Sequence, residues 1–271
     1  MTNDDGIDAP GIHHLAAAIA PLGEVTVIAP DTEYSGASSA IGPIWVEHPT
    51  VTRRRDFPVD GIAEAWAIGG PPALSTFYAR LGAFGAPFDI VVSGINPGAN
   101  VGRSVYHSGT VGACISGRNG GWSGVAVSQS ATYGAEGQAW HDILEQQHWT
   151  SAATVAACFV DGLLADLPRD PVLANINVPN VELDEIKGWA LTEIGQLPPR
   201  AMTKAQLVER DGEPDVFDLD IGSGDLIDLP AHTDGGAVER NLVSVSYVSR
   251  FVHEQRRDLG AAEQALSGLL G

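Results

Sequence analysis

The chain has 271 residues, of which 44% are hydrophobic and 18% are charged. These proportions are typical of a globular protein with a core of normal size, and they exclude a disordered chain. Fifteen basic and 34 acidic residues give a formal net charge of −19. This balance argues against binding to a nucleic-acid polymer or an anionic membrane, because both need a positively charged footprint.

The first two thirds of the chain alternate between helix and strand patterns. Ile12, Leu15 and Ile19 share one face of a predicted helix at 11–20, and a compact strand at 25–29 follows. Such alternation predicts an α/β fold, with a doubly wound, mostly parallel sheet and helices on both faces. The later predictions are strands at 44–47, 51–52 and 63–68, a helix at 73–83, strands at 89–92, 124–128 and 172–178, and helices at 110–118 and 150–166.

The pattern changes near residue 186. Short strand-like pieces at 187–194, 204–210 and 215–219 are separated by Pro and Gly, which predicts an extended hairpin. A strand at 241–248 and a C-terminal helix at 250–270 complete the chain. We therefore expect one domain at 1–185 and a C-terminal region at 186–271.

The most informative stretch is residues 93–113. The apolar run before it ends abruptly in Gly, Asn and Ser, which is typical of a buried strand that opens into a loop at its carboxyl end. In open α/β sheets, ligands bind at that end. Ser108, Gly109 and Thr110 would then precede a helix and offer backbone N–H groups to an anion. The stretch predicts a phosphate site, with Asn96 and Asn100 as further neutral groups and little positive charge of its own.

A metal ion could supply that charge. Asp4 and Asp5 are adjacent, and together with Ser35 and Asn96 they could give a divalent cation the oxygen ligands it prefers, if the loops after three strands converge. The alternative is that Asp4 and Asp5 belong to a solvated turn or cap the next helix. The loop at 35–39 could cradle phosphate oxygens, or it could be an ordinary flexible loop.

Two further side chains beside the loop have alternative interpretations. His107 could donate a proton to a leaving group, or it could be a packed or solvent-facing histidine. Ser108 could be a nucleophile, but no Asp/His relay stands at a recognisable spacing, which argues against a serine hydrolase. The glycine-rich stretch matches neither the Walker pattern nor a dinucleotide fingerprint.

Taken in order, several stretches resemble the SurE family of survival-protein nucleotidases. The main ones are Asn-Asp-Asp-Gly-Ile at 3–7, Ser-Gly-Ala-Ser-Ser at 35–39, Ser-Gly-Ile-Asn-Pro-Gly-Ala-Asn-Val-Gly at 93–102 and Ser-Gly-Thr at 108–110. Stretches at 124–128, 175–179, 233–234 and 243–245 fit the rest. The resemblance implies a Rossmann-like domain and a metal-dependent phosphomonoesterase acting on nucleoside 5′- or 3′-monophosphates, sometimes also on short polyphosphate.

The resemblance also assigns roles to residues. Asp4, Asp5, Ser35 and Asn96 match the ligands of one Mg²⁺ or Mn²⁺ per subunit. Asp4 or Asp5 would orient or deprotonate the attacking water, which makes them the catalytic candidates. The phosphate-binding candidates are Asn100, Ser108, Gly109 and Thr110. Family members are dimers or tetramers whose C-terminal segments embrace a neighbour, so we expect region 186–271 to mediate a homodimer or homotetramer.

One departure from the family concerns the N-terminus. Relatives have a buried apolar strand directly before the Asn-Asp-Asp motif, whereas only Met1 and Thr2 precede it here. We expect the true start to lie upstream. The main hypothesis is a nucleoside monophosphate phosphatase, and the alternatives are a non-catalytic nucleotide- or phosphate-binding module with an impaired metal site, or a short-chain exopolyphosphatase. With neither a signal peptide nor a membrane span in the sequence, we expect a cytoplasmic protein.

Overall fold

The computed structural model of the protein describes residues 1–46, 48–85, 87–131, 140–197, 202–224, 227–251, 258 and 260–270. Its strands are β1 (Val25–Pro30), β2 (Val51–Arg53), β3 (Ile62–Ile68), β4 (Ile90–Pro97), β5 (Ser123–Gln129), β6 (Leu173–Val178), β7 (Trp189–Leu191), β8 (Met202–Glu209), β9 (Phe217–Ser223) and β10 (Val243–Tyr247). Its α-helices are α1 (Pro10–Ile19), α2 (Pro72–Arg80), α3 (Gly109–Asn119), α4 (Trp140–Glu145), α5 (Trp149–Ala165), α6 (Asp234–Glu239) and α7 (Gly260–Leu270).

The strands form two sheets and a separate hairpin. The first sheet has the order β1-β3-β2, with β1 and β3 parallel and β2 antiparallel to β3. The second has the order β4-β5-β6-β10-β7, in which β4, β5 and β6 are parallel and β10 runs antiparallel to β6. The expected α/β fold with a mostly parallel sheet is therefore confirmed.

Both faces of the central strands are covered by helices. Val92, Val125 and Val127 belong to the core cluster that also contains the buried residues of α1 and α5. Val91 and Ala126, which alternate with them along β4 and β5, pack instead with residues of α3. Alternate side chains of one strand point to opposite faces of its sheet. Burial on both faces explains why these strands read as continuous apolar runs rather than as alternating patterns.

Residues 1 and 2 join the two sheets. The Met1 amine donates to the Thr26 carbonyl at 2.7 Å, and the Met1 carbonyl accepts from the Ile28 N–H at 2.8 Å. On the other side, the Thr2 N–H donates to Val92 and the Thr2 carbonyl accepts from Gly94, both at 3.0 Å. Beside this two-residue segment, a cleft of about 780 Å³ lies between the amino-terminal halves of β1 and β4.

Three local predictions need correction. Residues 44–46, predicted as strand, form a turn in which the Val46 N–H bonds the Pro43 carbonyl at 2.8 Å; Glu47 lies outside the described residues. The helix predicted to reach residue 83 ends at Arg80, because Gly82 has a positive φ of 85°. The strand predicted at 89–92 continues to Pro97 as β4, and the short helix α6 was not predicted.

The C-terminal region contains a hairpin, but the piece predicted at 187–194 is not part of it, because β7 pairs with β10 in the central sheet. Strands β8 and β9 pair with each other in antiparallel register. The helix expected at 250–270 is described from Gly260, and residues 252–257 and 259 lie outside the described part. Within the described part of the chain, no helix is both long and apolar enough to cross a membrane.

Candidate active site

The predicted site residues lie at the carboxyl ends of neighbouring strands. Asp4 and Asp5 directly follow the segment that bridges β1 and β4, Ser35 follows β1, and Asn96 lies near the end of β4. The Tyr34 N–H donates to the Asp4 carbonyl at 2.7 Å, which holds the Ser35 loop beside the two acids. The parallel sheet thus brings together segments that are far apart in the sequence, as its topology predicts.

Asp4 lies at the N-terminus of α3. Its side chain is only 3% exposed, and the Thr110 hydroxyl donates to its Oδ1 atom at 2.5 Å. The backbone N–H groups of Thr110 and Gly109 also hydrogen-bond this carboxylate. Burial raises the pKa of Asp4, and these hydrogen bonds counteract the rise. The helix N-terminus predicted to receive phosphate therefore also holds a catalytic candidate.

Asp5 is less well stabilised. Its Oδ2 atom is buried and has no hydrogen-bond partner among the described residues. Burial, and then the negative charges of Asp4 and Glu33, raise the pKa of Asp5 well above its ordinary value. An unpartnered oxygen beside a second buried carboxylate is what a divalent cation would satisfy, so this pair fits a metal site.

Ser35 and Asn96 would complete the ligand set with neutral oxygens. Ser35 is exposed on its loop, and Asn96 is half-buried with its Nδ2 donating to the Gly98 carbonyl at 2.6 Å, which leaves Oδ1 as an acceptor. No cluster of three or more His, Cys, Asp or Glu side chains able to hold a metal occurs in the described ranges. The candidate centre therefore depends on two carboxylates and two neutral groups.

The loop that carries Ser35 rests on α3. The Ser38 N–H donates to the His107 carbonyl at 3.0 Å, and the Ser38 carbonyl lies against the first turn of the helix. At Gly112 a Cβ atom would stand only 1.9 Å from that carbonyl oxygen. Glycine is required here because the two backbones touch. The imidazole of His107 is on an exposed residue beside the site, consistent with the solvent-facing interpretation.

We call residues 96–110 the phosphate loop. Ser108 is the N-cap of α3, with its hydroxyl accepting from the Val111 N–H at 3.1 Å. Asn100 is buried and its Nδ2 donates to the Ser128 hydroxyl at 2.9 Å, so this amide group is engaged inside the protein. The structure thus brings the start of α3 next to Asp4, whereas the Asn100 side chain points into the protein and supports the loop.

Three buried side chains that hold the phosphate loop were missed as functional residues. Asn175 and Asn177 of β6 bond the backbone of Asn100, and Asp234 bonds the backbone of Gly102. The available signal was the polar residues inside an otherwise apolar strand at 173–178, because a buried asparagine needs partners. Their partners come from distant segments, which only the fold identifies.

Comparison with known proteins agrees with this architecture. The sequence profile of the family described as "Survival protein SurE" matches residues 1–200. The chain belongs to the SurE family. The resemblance drawn from the motifs is therefore confirmed, and the family match covers both the two acids and the whole phosphate loop.

Individual SurE proteins are similar over nearly the whole chain. The "5'/3'-nucleotidase SurE" of Erwinia tasmaniensis is 35% identical, covering 100% of this chain and 95% of the relative. The "5'-nucleotidase SurE" of Methylococcus capsulatus is 34% identical, covering 91% and 88%. The crystal structure of the SurE protein from Aquifex aeolicus superposes with a TM-score of 0.70 at 26% identity, covering 98% of both chains.

Proposed function

We propose that this SurE-family protein hydrolyses nucleoside 5′- or 3′-monophosphates to nucleoside and phosphate, using one Mg²⁺ or Mn²⁺ per subunit. The predicted enzyme class, a hydrolase of phosphoric monoester bonds, is confirmed by relatives that are named nucleotidases. The single observation that carries the metal-dependent part is Asp5 Oδ2, a buried oxygen without a partner beside a second buried carboxylate.

The proposed mechanism gives different roles to the metal-ligand candidates and to the N–H groups at the start of α3. A divalent cation held by Asp4, Asp5, Ser35 and Asn96 would neutralise phosphate charge and lower the pKa of a coordinated water. Asp4 or Asp5 orients the attacking water and accepts its proton. The N–H groups at the start of α3 stabilise negative charge on the phosphate oxygens.

Phosphate release from a substrate panel tests the proposal. The panel contains 5′- and 3′-nucleoside monophosphates and short polyphosphate, each assayed with Mn²⁺ and with EDTA. We expect release from monophosphates with Mn²⁺ and none with EDTA. Binding without release would instead indicate a phosphate-binding module, and release from polyphosphate alone would indicate an exopolyphosphatase.

The Asp5→Asn variant tests the residue assignment. We expect Mn²⁺-dependent phosphate release to fall by on the order of a thousandfold, because a residue of the reacting centre is lost. Calorimetric titration should show weaker Mn²⁺ binding. The exposed Asp8, paired with Arg54 at 2.8 Å, supplies the control variant Asp8→Asn, which should retain activity. Full activity in Asp5→Asn would contradict the assignment.

We also propose that the hairpin and α7 of region 186–271 form the interface of a homodimer or homotetramer, whereas β7 and β10 of the same region belong to the central sheet of the catalytic domain. The support is an apolar face on the hairpin: Leu207 pairs with Leu219, and Ala205 pairs with Ile221, on the same side of the two strands. Leu207 and Leu219 are 68% and 67% exposed. An isolated two-stranded hairpin is marginally stable in water, so this face needs a covering surface.

A further inference from the structure

We propose that Asp234 is a positioning residue for the phosphate loop and that it acts through the backbone of Gly102. The proposal rests on the proposed function, because that function assigns the phosphate group to the loop's last three residues, 108–110. Asp234 itself belongs to α6, far away in the sequence.

Asp234 is fully buried, and among the described residues its carboxylate hydrogen-bonds only backbone groups. Its Oδ2 accepts from the Gly102 N–H at 2.9 Å, and its Oδ1 accepts from the Gly195 and Gly235 N–H groups at 2.9 and 2.8 Å. A buried carboxylate is costly unless such donors compensate it, and charge-assisted bonds of this kind are strong. The carboxylate therefore fixes three chain segments to one another.

The contact with Gly102 controls the second half of the phosphate loop. Gly102 has a positive φ of 56° and begins the short 3₁₀ helix Gly102–Tyr106. The N–H groups of His107 and Ser108 both bond the Ser104 carbonyl in that helix, at 2.9 and 3.1 Å. Holding its first residue therefore sets the direction in which Ser108 enters α3.

Buried asparagines of β6 hold the phosphate loop two residues before Gly102. Asn177 is fully buried, and its Oδ1 accepts from the Asn100 N–H at 2.8 Å while its Nδ2 donates to the Asn100 carbonyl at 3.2 Å. Asn175 donates to the same carbonyl at 2.9 Å. Side chains from β6 and α6 thus hold the backbone of residues 100–102.

The first half of the loop has different anchors. Asn96 pairs with Ser128 in the β4–β5 ladder, and the Gly98 N–H donates to the Gln129 carbonyl at 2.7 Å. The metal side of the site is therefore fixed by β5, whereas the phosphate side is fixed by Asp234 and Asn177. Loss of Asp234 should weaken phosphate binding without weakening metal binding.

The test uses the full chain with Asp234→Asn. The asparagine keeps the side-chain shape but replaces one acceptor oxygen with an NH₂ group, so it cannot serve all three N–H donors. Two dissociation constants are measured calorimetrically, that of Mn²⁺ alone and that of inorganic phosphate at saturating Mn²⁺. We expect the phosphate constant to rise about tenfold, equivalent to about 1.4 kcal/mol, and the Mn²⁺ constant to stay within about twofold. Partial unfolding would lower both stoichiometries and leave both constants unchanged.

The matched control is Ser123→Ala. Ser123 is buried at the amino end of β5, and its hydroxyl accepts from the Val172 N–H at 3.2 Å, far from the loop. This variant loses a buried hydrogen bond but should keep both constants. Should Asp234→Asn fail to fold, Asn177→Ala removes the neighbouring clamp and should show the same separation of the two constants.

Two results would overturn the inference: unchanged phosphate affinity in Asp234→Asn and Asn177→Ala, or an equal loss of phosphate and Mn²⁺ affinity. The second result would mean that Asp234 supports the whole site rather than the phosphate side. Failure of the wild-type protein to bind phosphate at saturating Mn²⁺ would instead contradict the proposed function itself, so the two failures are distinguishable.

Discussion

Asp4 and Asp5 are neighbours in the sequence, yet the fold gives their carboxylates different surroundings. Asp4 accepts hydrogen bonds from Thr110 and from the first N–H groups of α3, whereas Asp5 Oδ2 has no partner in the described part of the chain. The difference arises because successive residues point in different directions at the end of an extended segment. Asp5 therefore has the stronger need for a cation.

The close contact between the backbones of Gly112 and Ser38 predicts the effect of a substitution at Gly112. In Gly112→Ala the new Cβ would stand 1.9 Å from the Ser38 carbonyl, so the loop at 35–39 must move away from α3. We expect phosphate release to fall at least tenfold, since Ser35 leaves its place, and the protein to be destabilised by about 1–3 kcal/mol. Enzyme kinetics and urea unfolding measure the two effects.

Gly162→Ala is the control for this substitution. Gly162 lies in α5, and nothing stands within 4 Å of its would-be Cβ atom. Alanine there should stabilise the helix by up to about 1 kcal/mol and leave activity unchanged. Equal activity in the two variants would contradict the role assigned to the Gly112 contact.

Among the elements, the two-residue bridge between β1 and β4 is the weakest connection. Met1 and Thr2 make the hydrogen bonds of a central strand, but the cleft next to them is lined by partly exposed apolar residues such as Leu22, Ile90 and Trp122 that a longer strand would cover. Uncovered apolar surface between two sheets loses the burial that normally holds such sheets together.

An N-terminal extension should fill this cleft. We expect about five Val and Ile residues placed before Met1 to raise the melting temperature by roughly 10 °C, because each buried side chain contributes about 1.5–3 kcal/mol before the cost of ordering it. An extension of Gly and Ser with the same length is the control and should have little effect. Equal melting temperatures for the two proteins would contradict the prediction.

The same segment predicts a pH dependence for the protein that begins at Met1. Burial lowers the pKa of the Met1 amine from 8.0 to about 5. Between those values the unfolded chain binds a proton that the folded chain does not. The free energy of unfolding is therefore highest above about pH 8 and decreases as the pH falls toward 5. The full shift of about three pKa units corresponds to about 4 kcal/mol.

Urea unfolding between pH 5.5 and 8 measures this dependence. The protein with the Gly and Ser extension is the reference, because a peptide N–H replaces the buried amine while every carboxylate is retained. We expect a flatter profile for the extended protein over this range. Parallel profiles for the two proteins would show that the Met1 amine is not responsible.

At the scale of the whole molecule, the C-terminal region exposes apolar surface that the other described residues do not cover. One face of the β8–β9 hairpin is apolar, and every described residue of α7 is exposed, including Leu266, Leu269 and Leu270. Patches of this kind on an otherwise strongly acidic protein mark an interaction surface.

The proposed interface is tested by placing the same charge on either face of the β8–β9 hairpin and comparing the oligomeric states of the two variants. Leu219→Asp places a charge on the apolar face, so the mass measured by light scattering should fall toward that of a single 28.3 kDa chain. Val208→Asp places the same charge on the other face, because Val208 directly follows Leu207 and successive side chains of a strand point to opposite faces. It should leave the mass unchanged. An unchanged mass in both variants would contradict the proposed interface.

The sequence by itself determined the class of fold, the segments that meet at the site and the family. Periodicity located α1, α5, β5 and β6 within a residue or two, because their burial pattern is set locally by apolar spacing, whereas β4 continues to Pro97, beyond its predicted end at Val92. Motif order was sufficient to identify the family and to predict the two acids and the phosphate loop as site candidates. The turn at 44–46 was misread as a strand, since an apolar run pairs only if another strand lies beside it.

Only the tertiary structure decided which partner each polar group has. That Thr110 bonds Asp4, that Asn100 turns toward Ser128 and that Asp234 holds Gly102 depend on contacts between residues up to 132 positions apart. A buried polar group must find a partner wherever the folded chain brings one. No local pattern encodes that choice, because hydrogen bonds of this kind follow from the packing of whole elements.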